Sequence, residues 1–213
     1  MYAKYFKRII DFCLSLLGII VLSPIFVVLI VLGTVFMRGN PFFTQLRPGK
    51  NEKIFKLIKF RTMDNRKDAD GKLLPDEVRL NKYGRILRST SLDELPELFN
   101  ILRGDMAIVG PRPLLPRDVK YMDKIQLKRH IERPGLTGLA QSSGRNLLNW
   151  DEKLQLDVEY VENVSLVLDI EIIIRTAIKV IIKDGVCFED GTDMDLKDWN
   201  ELKAKERKAT DES

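Results

Sequence analysis

Residues 12–37 read FCLSLLGIIVLSPIFVVLIVLGTVFM, a long apolar run without a charged side chain. About 20 apolar residues are enough to cross the hydrocarbon core of a bilayer, so this stretch predicts insertion into a membrane. A cleaved signal peptide is disfavoured, because the run is too long and no small-residue cleavage pattern follows it before Arg38. The rest of the chain has the mixed composition of a globular domain.

The topology of this apolar segment depends on Ser23 and Pro24 near its centre. Proline removes one helical hydrogen bond and clashes with the preceding turn, so we predict a break in the helix at this point. Basic residues flank both ends, from Lys4 to Arg8 and again from Arg38, so the positive-inside rule does not choose a side. A re-entrant hairpin and a kinked spanning helix are both compatible with this pattern of residues.

The overall composition argues against several classes of protein. A net charge of +4 is too small to indicate nucleic acid as a partner, whereas a weakly basic surface suits anionic lipid or phosphate. Cys13 and Cys187 lie far apart in the sequence, which indicates neither a disulfide framework nor a metal-binding pair, and a reducing compartment is expected. The single histidine, His130, follows Lys128 and Arg129 and is interpreted as a surface residue.

Beyond residue 40 the sequence predicts helices and little sheet. Residues 42–46 and 54–60 flank a turn and predict a β-hairpin, and a further short strand is predicted at 106–109. A helix is predicted to start near Ser91 and end near Gly104. A second helix is predicted at 166–183, with a basic stripe that suits either an anionic membrane surface or, as the favoured interpretation, a solvated face of a helix packed on the core.

Asp93 and Glu94 are the most suggestive pair for chemistry, because neighbouring carboxylates can combine a nucleophile with a second acid or base. Helix capping is the simpler interpretation from the residues alone. If Asp93 is the N-cap, Pro96 falls in the first helical turn, where proline is tolerated, and the helix dipole favours an ionised Asp93.

Four arginines stand beside turn formers or segment ends, where a guanidinium can be presented to phosphate: Arg61, Arg88, Arg112 and Arg145. The sequence contains no GxxxxGK[ST] loop and no GxGxxG fingerprint, which argues against a nucleoside triphosphatase and a nicotinamide enzyme. It also shows no His/Cys cluster. If a metal takes part, carboxylates favour Mg²⁺, which prefers oxygen ligands and bridges substrate phosphates.

Four motifs in this order resemble those of the small monotopic phosphoglycosyl transferases, also called the bacterial sugar transferase family. They are KFRTM at 59–63, SLDELP at 91–96, GPRP at 110–113 and RPGLTG at 133–138. The resemblance extends from the Ser23-Pro24 pair to the helix around Ile170. Relatives usually have Val-Asn where this chain has Ser142-Ser143, while Gly144, Arg145 and Asn146 agree with the family pattern.

The resemblance implies an α+β, mainly helical fold, in which an N-terminal re-entrant membrane helix-break-helix precedes a compact cytoplasmic domain with little sheet. We therefore divide the chain into a membrane hairpin at 1–40, a catalytic bacterial sugar transferase domain at 41–185 and a polar, poorly ordered tail at 186–213. The implied location is the bacterial inner membrane, with the catalytic domain facing the cytoplasm and membrane lipids as partners.

The resemblance also implies a two-step, Mg²⁺-dependent transfer of a phosphosugar from a UDP-sugar to polyprenol (undecaprenyl) phosphate. Asp93 would be the nucleophile and a metal ligand, and Glu94 would assist metal or acceptor positioning or proton transfer. The residues that would bind phosphate or nucleotide are Lys59, Arg61, Arg88, Arg112 and Arg145. Glycosyltransferases that act later in glycoconjugate assembly are further expected partners.

Two other functions compete with this interpretation. A membrane-tethered glycoside hydrolase could use Asp93 and Glu94, although adjacent carboxylates do not easily flank a glycosidic bond on opposite sides. A non-enzymatic membrane scaffold would have no need of the dense Gly, Pro and Arg motifs. Release of UMP distinguishes transfer from hydrolysis, which releases free sugar.

Overall fold

The computed structural model describes residues 1–144, 148–182 and 195–211, and most of them are helical, as predicted. The helices are α1 (Lys7–Phe36), α2 (Asp76–Arg79), α3 (Lys82–Ser89), α4 (Glu97–Arg103), α5 (Leu139–Ser143), α6 (Trp150–Glu162), α7 (Leu166–Ile182) and α8 (Leu196–Asp211). The strands are β1 (Phe42–Pro48), β2 (Ile54–Phe60), β3 (Ala107–Val109) and β4 (Gly135–Thr137). The described strands form two small sheets.

α1 is long and apolar enough to cross a membrane, and it continues through Pro24 without interruption. The predicted break in the helix at Ser23-Pro24 is therefore wrong, because both residues are helical. The reason lies in the side chain of Ser23, whose Oγ donates to the carbonyl of Ile20 at 2.8 Å. That carbonyl is the one that the missing amide of Pro24 would have paired with, and a serine hydroxyl can replace such a bond in an apolar helix.

One face of α1 belongs to the core of the protein. Its buried side chains Phe26 and Leu29 pack in the same cluster as Phe60 of β2, Leu87 of α3 and Ile101 of α4, and Met37, the residue after the helix, joins them. The other face exposes a continuous set of large apolar side chains, among them Ile20, Val21, Ile25, Val28 and Val31. An exposed apolar surface of this extent indicates contact with lipid or a partner.

Both ends of α1 are tied to the rest of the protein by polar contacts. Near the amino end, the Lys7 ammonium lies 2.7 Å from a carboxylate oxygen of Asp169 in α7, and both side chains are buried. Close by, the backbone N–H of Ile108 in β3 donates to Asp11 at 3.1 Å. Towards the carboxyl end, the Tyr83 hydroxyl donates to the carbonyl of Leu29 at 3.1 Å. The helix therefore lies against the globular part along most of its length.

The two sheets position the motif loops. β1 and β2 pair antiparallel with Phe42 opposite Phe60, which confirms the predicted hairpin. β3 pairs in parallel with β4, which places residues 110–113 beside residues 133–138. The backbones approach so closely that a Cβ on Gly135 would lie 2.1 Å from the amide nitrogen of Gly110. Only glycine fits there, so both motifs depend on this contact.

Two predictions about the carboxyl-terminal half can be compared with the structure. α7 packs on the core through Ile172 and exposes the charged pair Glu171 and Arg175, as expected, but it also exposes several large apolar side chains: Val167, Ile170, Ile174 and Ile178. The tail at 186–213 was expected to be poorly ordered, but its described part forms α8. Leu196 at the start of α8 is buried in an apolar cluster, so one face of this helix packs on the protein although the tail is polar in composition.

Candidate active site

The four motifs meet at one cleft with a volume of about 1300 Å³. Six of the residues predicted to act on substrate line it: Lys59, Arg61, Arg88, Asp93, Glu94 and Arg112. They come from the end of β2, from α3, from the turn before α4 and from the loop after β3. Arg145 lies outside the described residues. A cleft with several cations around two carboxylates suits a substrate that carries phosphate.

Asp93 lies in a 3₁₀ turn, Leu92–Glu94, just before α4. The prediction that Asp93 caps the helix is wrong, because α4 begins at Glu97 with Pro96 in the N-cap position. Backbone bonds across this turn reach back three residues instead of four, as from the amide of Leu95 to the carbonyl of Leu92. The turn leaves the carboxylate free of a capping role at α4.

Burial, and then the negative charge of Glu94, raise the pKa of the Asp93 carboxyl to about 6, while the charges of Lys59 and Arg88 act in the opposite direction. The helix dipole was expected to favour the ionised form, but burial has the larger effect. A carboxylate with this pKa is still ionised near neutral pH and is more basic than an ordinary aspartate. Both properties suit a nucleophile.

Lys59 links the two acidic residues on either side of Pro96. Its ammonium lies 2.7 Å from Glu94 and 3.2 Å from Glu97, which is buried. Burial lowers the pKa of Lys59, whereas the negative charges of Glu94 and then Glu97 raise it. The two charges together outweigh burial, so the pKa is raised overall and the ammonium stays charged. Glu97 was missed by the sequence analysis, although it follows Glu94 at the i, i+3 spacing that brings two side chains to one helical face.

Two arginines of the cleft are oriented by hydrogen bonds from their guanidinium groups. The Nε of Arg88 donates to the Oγ1 of Thr62 at 3.1 Å. The guanidinium of Arg61 donates to the carbonyl of Phe42 at 3.4 Å. α3 can approach this motif because Gly84 has no side chain, since a Cβ there would lie 1.9 Å from the carbonyl oxygen of Thr62. Arg88 is thereby held close enough to Asp93 for its charge to act on that carboxyl, and Arg61 lines the same cleft.

The loop that carries Arg112 is held by its own backbone carbonyls. Arg129 donates to the carbonyl of Arg112 at 2.5 Å, and Arg47 donates to the carbonyl of Pro113 at 2.9 Å. The guanidinium of Arg112 is partly exposed to the cleft and lies 3.8 Å from Glu94. The expected rigid presentation of Arg112 thus has a physical basis beyond the two prolines.

A buried ion pair supports this loop from below. Arg129 lies 2.7 Å from Asp157 of α6, and both residues are almost fully buried. The next residue, His130, is also buried, so its interpretation as a surface residue is wrong. Burial and the charge of Arg129 lower the pKa of His130 to about 4, which keeps the imidazole neutral. No local sequence signal pairs residues 28 positions apart, so Arg129 and Asp157 were missed.

Comparison with known proteins gives the same assignment as the motifs. The model of the bacterial sugar transferase family matches residues 2–183. The chain is 45% identical over 185 residues to the sugar transferase EpsL of Bacillus subtilis (strain 168), covering 84% of this chain and 89% of that protein. It is 37% identical over 198 residues to the exopolysaccharide production protein ExoY of Sinorhizobium fredii, covering 84% and 87%.

A third relative is longer than this chain. The UDP-glucose:undecaprenyl-phosphate glucose-1-phosphate transferase of Klebsiella pneumoniae is 38% identical over 184 residues, which cover 82% of this chain but 40% of that protein. The similarity is thus to one part of the longer transferase.

Proposed function

The chain belongs to the bacterial sugar transferase family, and from this we propose that it transfers a phosphosugar from a UDP-sugar to polyprenol phosphate at a membrane. The products are a polyprenyl diphosphate-sugar and UMP. The observation that carries the proposal is the cleft in which Asp93 and Glu94 lie among Lys59, Arg88 and Arg112. Relatives named as undecaprenyl-phosphate sugar phosphotransferases support the same reaction.

In the first step, a carboxylate oxygen of Asp93 attacks the sugar-bearing phosphorus of the UDP-sugar. A bond forms between this oxygen and phosphorus, and the bond from phosphorus to the bridging oxygen of the diphosphate breaks. UMP leaves with that oxygen and its electron pair. Arg88 and Arg112 neutralise the charge that develops on the phosphate oxygens, as preorganised cations do in phosphoryl transfer.

In the second step, a phosphate oxygen of the polyprenol phosphate attacks the same phosphorus. The acyl phosphate bond to Asp93 breaks, and the carboxylate is regenerated. Glu94, held by Lys59 and near Arg112, would help to position the acceptor phosphate, or the metal when it is bound. Asp93 is the nucleophile of the first step and the leaving group of the second, which predicts that UMP is released before the acceptor reacts.

The donor set of the cleft fits Mg²⁺. Among the described residues no group of three or more His, Cys, Asp or Glu side chains could form a complete protein cage for a metal. Mg²⁺ does not require one, because it commonly binds through one or two carboxylates together with substrate phosphates and water. Asp93 would hold the ion, and Glu94 next to it raises the pKa of Asp93, a repulsion that a divalent cation relieves. The bound ion would neutralise diphosphate charge.

The contacts of α1 support a monotopic arrangement at the inner membrane, with the catalytic part facing the cytoplasm. Both ends of the helix touch the same globular body, through Lys7 with Asp169 and through Leu29 with Tyr83. A helix that crossed the bilayer would place these ends on opposite sides. We therefore keep the re-entrant topology as a proposal, in which α1 bends at Ser23-Pro24 while its residues stay helical.

The proposal is tested by assaying UMP release with a panel of UDP-sugars, undecaprenyl phosphate and Mg²⁺. We expect release with at least one sugar, formation of a polyprenyl diphosphate-sugar and loss of turnover when EDTA removes divalent ions. The panel also identifies the sugar. Release of free sugar instead of UMP would indicate a glycoside hydrolase, and no reaction with any donor would contradict the proposal.

Arg112→Ala is expected to lower turnover by about tenfold or more, because charged contacts to phosphate are strong and directional. We expect the same for Arg145→Ala. Arg103→Ala is the matched control, since Arg103 is exposed and lies outside the cleft lining. Turnover and thermal unfolding are measured together. Wild-type turnover in a folded Arg112→Ala protein would show that Arg112 does not contact the diphosphate.

A monotopic α1 places both of its flanks in the cytoplasm, which cysteine labelling can test. Single cysteines are introduced at the exposed positions Lys4 and Lys53, in a background in which serine replaces Cys13 and Cys187. We expect an impermeant thiol reagent to label neither site in intact cells and both sites after permeabilisation. If one site reacts from outside in intact cells, α1 spans the membrane and the proposed topology is wrong.

A further inference from the structure

The helix α8 lies beyond residues 2–183, which match the family model, yet it meets the catalytic cleft. Asp195, the residue just before α8, lines the cleft. Its carboxylate accepts a hydrogen bond of 2.8 Å from the guanidinium of Arg117. Arg117 lies in the loop that carries Arg112, five residues further on. α8 therefore begins at the wall of the cleft.

Apolar side chains anchor α8 to that wall. Leu196 is 1% exposed and packs with Leu154 of α6 and with Met122. The rings of Trp150 in α6 and Trp199 in α8 pack against the same cluster. Leu154 and Trp150 also line the cleft, so the cluster has the cleft on one side and α8 on the other. This part of the wall depends on α8 for its packing.

Polar contacts join α8 to two segments that contribute to the wall. The indole N–H of Trp199 and the ammonium of Lys203 both donate to one carboxylate oxygen of Asp151 in α6, at 3.2 Å and 2.7 Å. The side-chain amide of Asn200 donates to the carbonyl of Tyr121 at 2.9 Å. Lys203 and Asp151 are 32% and 38% exposed, so their ion pair adds little to the free energy of docking. The apolar cluster holds α8 in place, and the polar contacts fix its position against α6 and the segment 114–121.

The wall that α8 supports presents three charged side chains to the cleft: Lys153 of α6, Asp118 and Asp195. The ammonium of Lys153 lies over the ring of Trp150, 5.5 Å from its centroid. Carboxylates and an ammonium can bond to hydroxyl and phosphate groups, and an indole ring offers a flat apolar face to a sugar or a base. A hydrocarbon chain would only remove water from these charges. The wall therefore suits the UDP-sugar better than the polyprenol chain.

We infer that docking of α8 sets the affinity of the cleft for the UDP-sugar, because it holds α6 and the segment 114–121 at a fixed separation. The inference rests on the proposed function, since it concerns the donor of that reaction. Arg129 and Arg47, which hold the loop at Arg112, lie outside α8. Loss of α8 docking should therefore weaken donor binding without displacing the groups that act at Asp93.

The kinetic test releases α8 without changing any side chain of the cleft. Leu196→Asp would place a carboxylate in the buried cluster without a partner, so the helix should leave its site. Because the two steps are separate, kcat/KM for each substrate reports on its own step. We expect kcat/KM for the UDP-sugar to fall by about tenfold and kcat/KM for undecaprenyl phosphate to stay within about twofold. Leu202→Asp, the same change at an exposed position of α8, is the matched control and should leave both values unchanged.

A second measurement does not depend on folding of Leu196→Asp. Trp150 and Trp199 are the two tryptophans of the sequence, and both pack on the cluster beneath the wall. Tryptophan emission therefore reports on this part of the protein. The Asp93→Asn protein, which should not consume the donor, is titrated with the UDP-sugar in the presence of Mg²⁺. We expect a saturable change in emission that undecaprenyl phosphate alone does not cause.

Several results would overturn the role of α8. They are wild-type kinetics in Leu196→Asp, an equal fall of kcat/KM for both substrates, an equal effect of Leu202→Asp, and tryptophan emission that does not respond to the donor. If Leu196→Asp does not fold, the titration decides by itself. A wild-type protein that never releases UMP would instead contradict the proposed function.

Discussion

Asp93→Asn is expected to lower turnover by about a thousandfold or more, because an amide oxygen cannot form the covalent phosphosugar intermediate. The wild-type protein, incubated with UDP-sugar and Mg²⁺ but without acceptor, should release up to one UMP per chain. Intact-protein mass spectrometry should then show the added sugar phosphate. The adduct should be absent from Asp93→Asn and should disappear from the wild type when polyprenol phosphate is added.

The same substitution should leave stability unchanged or slightly raised. Because burial and Glu94 raise the pKa of Asp93 to about 6, the folded protein disfavours the ionised form. Stability is therefore lost as pH rises from the ordinary carboxyl pKa through about 6, and at neutral pH a neutral amide removes that cost. Asp198→Asn, at an exposed position of α8, is the matched control. An Asp93→Asn protein that is folded and turns over would exclude Asp93 as the nucleophile, and an unfolded one would favour a structural role.

Arg129→Met is expected to lower the free energy of unfolding by about 3–5 kcal/mol, because it leaves the buried carboxylate of Asp157 without its partner. It also removes the donor to the carbonyl of Arg112. Thermal unfolding in detergent or nanodiscs measures the first effect. The assay of UMP release measures the second, and turnover should fall with stability in this variant.

The double variant Arg129→Met/Asp157→Leu separates the two effects. Replacing a buried ion pair by apolar side chains of similar size is often neutral or stabilising, so the unfolding temperature should recover. Turnover should remain about tenfold below wild type, because the loop of Arg112 has still lost its hydrogen bond. A double variant with wild-type stability and wild-type turnover would show that the pair does not position Arg112.

The parts of the fold that depend on neighbouring residues were predictable from the sequence. The turn around Pro48 and the alternating strands on either side specify the β1–β2 hairpin, and the apolar spacing after residue 166 specifies α7. The resemblance of four short motifs predicted that Lys59, Arg88, Asp93 and Arg112 act together, and all four line one cleft. Their roles in the reaction remain predictions.

The parts that depend on tertiary contacts were not predictable in the same way. Pro24 predicted a break in α1, but the Ser23 hydroxyl bonds to the carbonyl that proline leaves unpaired. The residue types around Asp93 predicted that it caps a helix, but a 3₁₀ turn follows and α4 starts only at Glu97. Burial, which depends on the tertiary structure, has the largest effect on the pKa of Asp93. The capping box of Asn149 and Glu152 at α6 was a local signal that could have been found. The partnership of Arg129 with Asp157 had no such signal.

The sharing of one core between α1 and the catalytic body affects how the protein can be made. Phe26 and Leu29 are packed against side chains such as Phe60 and Ile101, which lie far along the chain. A nascent chain therefore cannot close its core until both the first helix and the later segments have been synthesised. Folding of the catalytic body depends on the apolar helix, which is a structural part of the enzyme rather than a detachable anchor. Removing it to obtain a water-soluble catalytic fragment would remove one wall of the core.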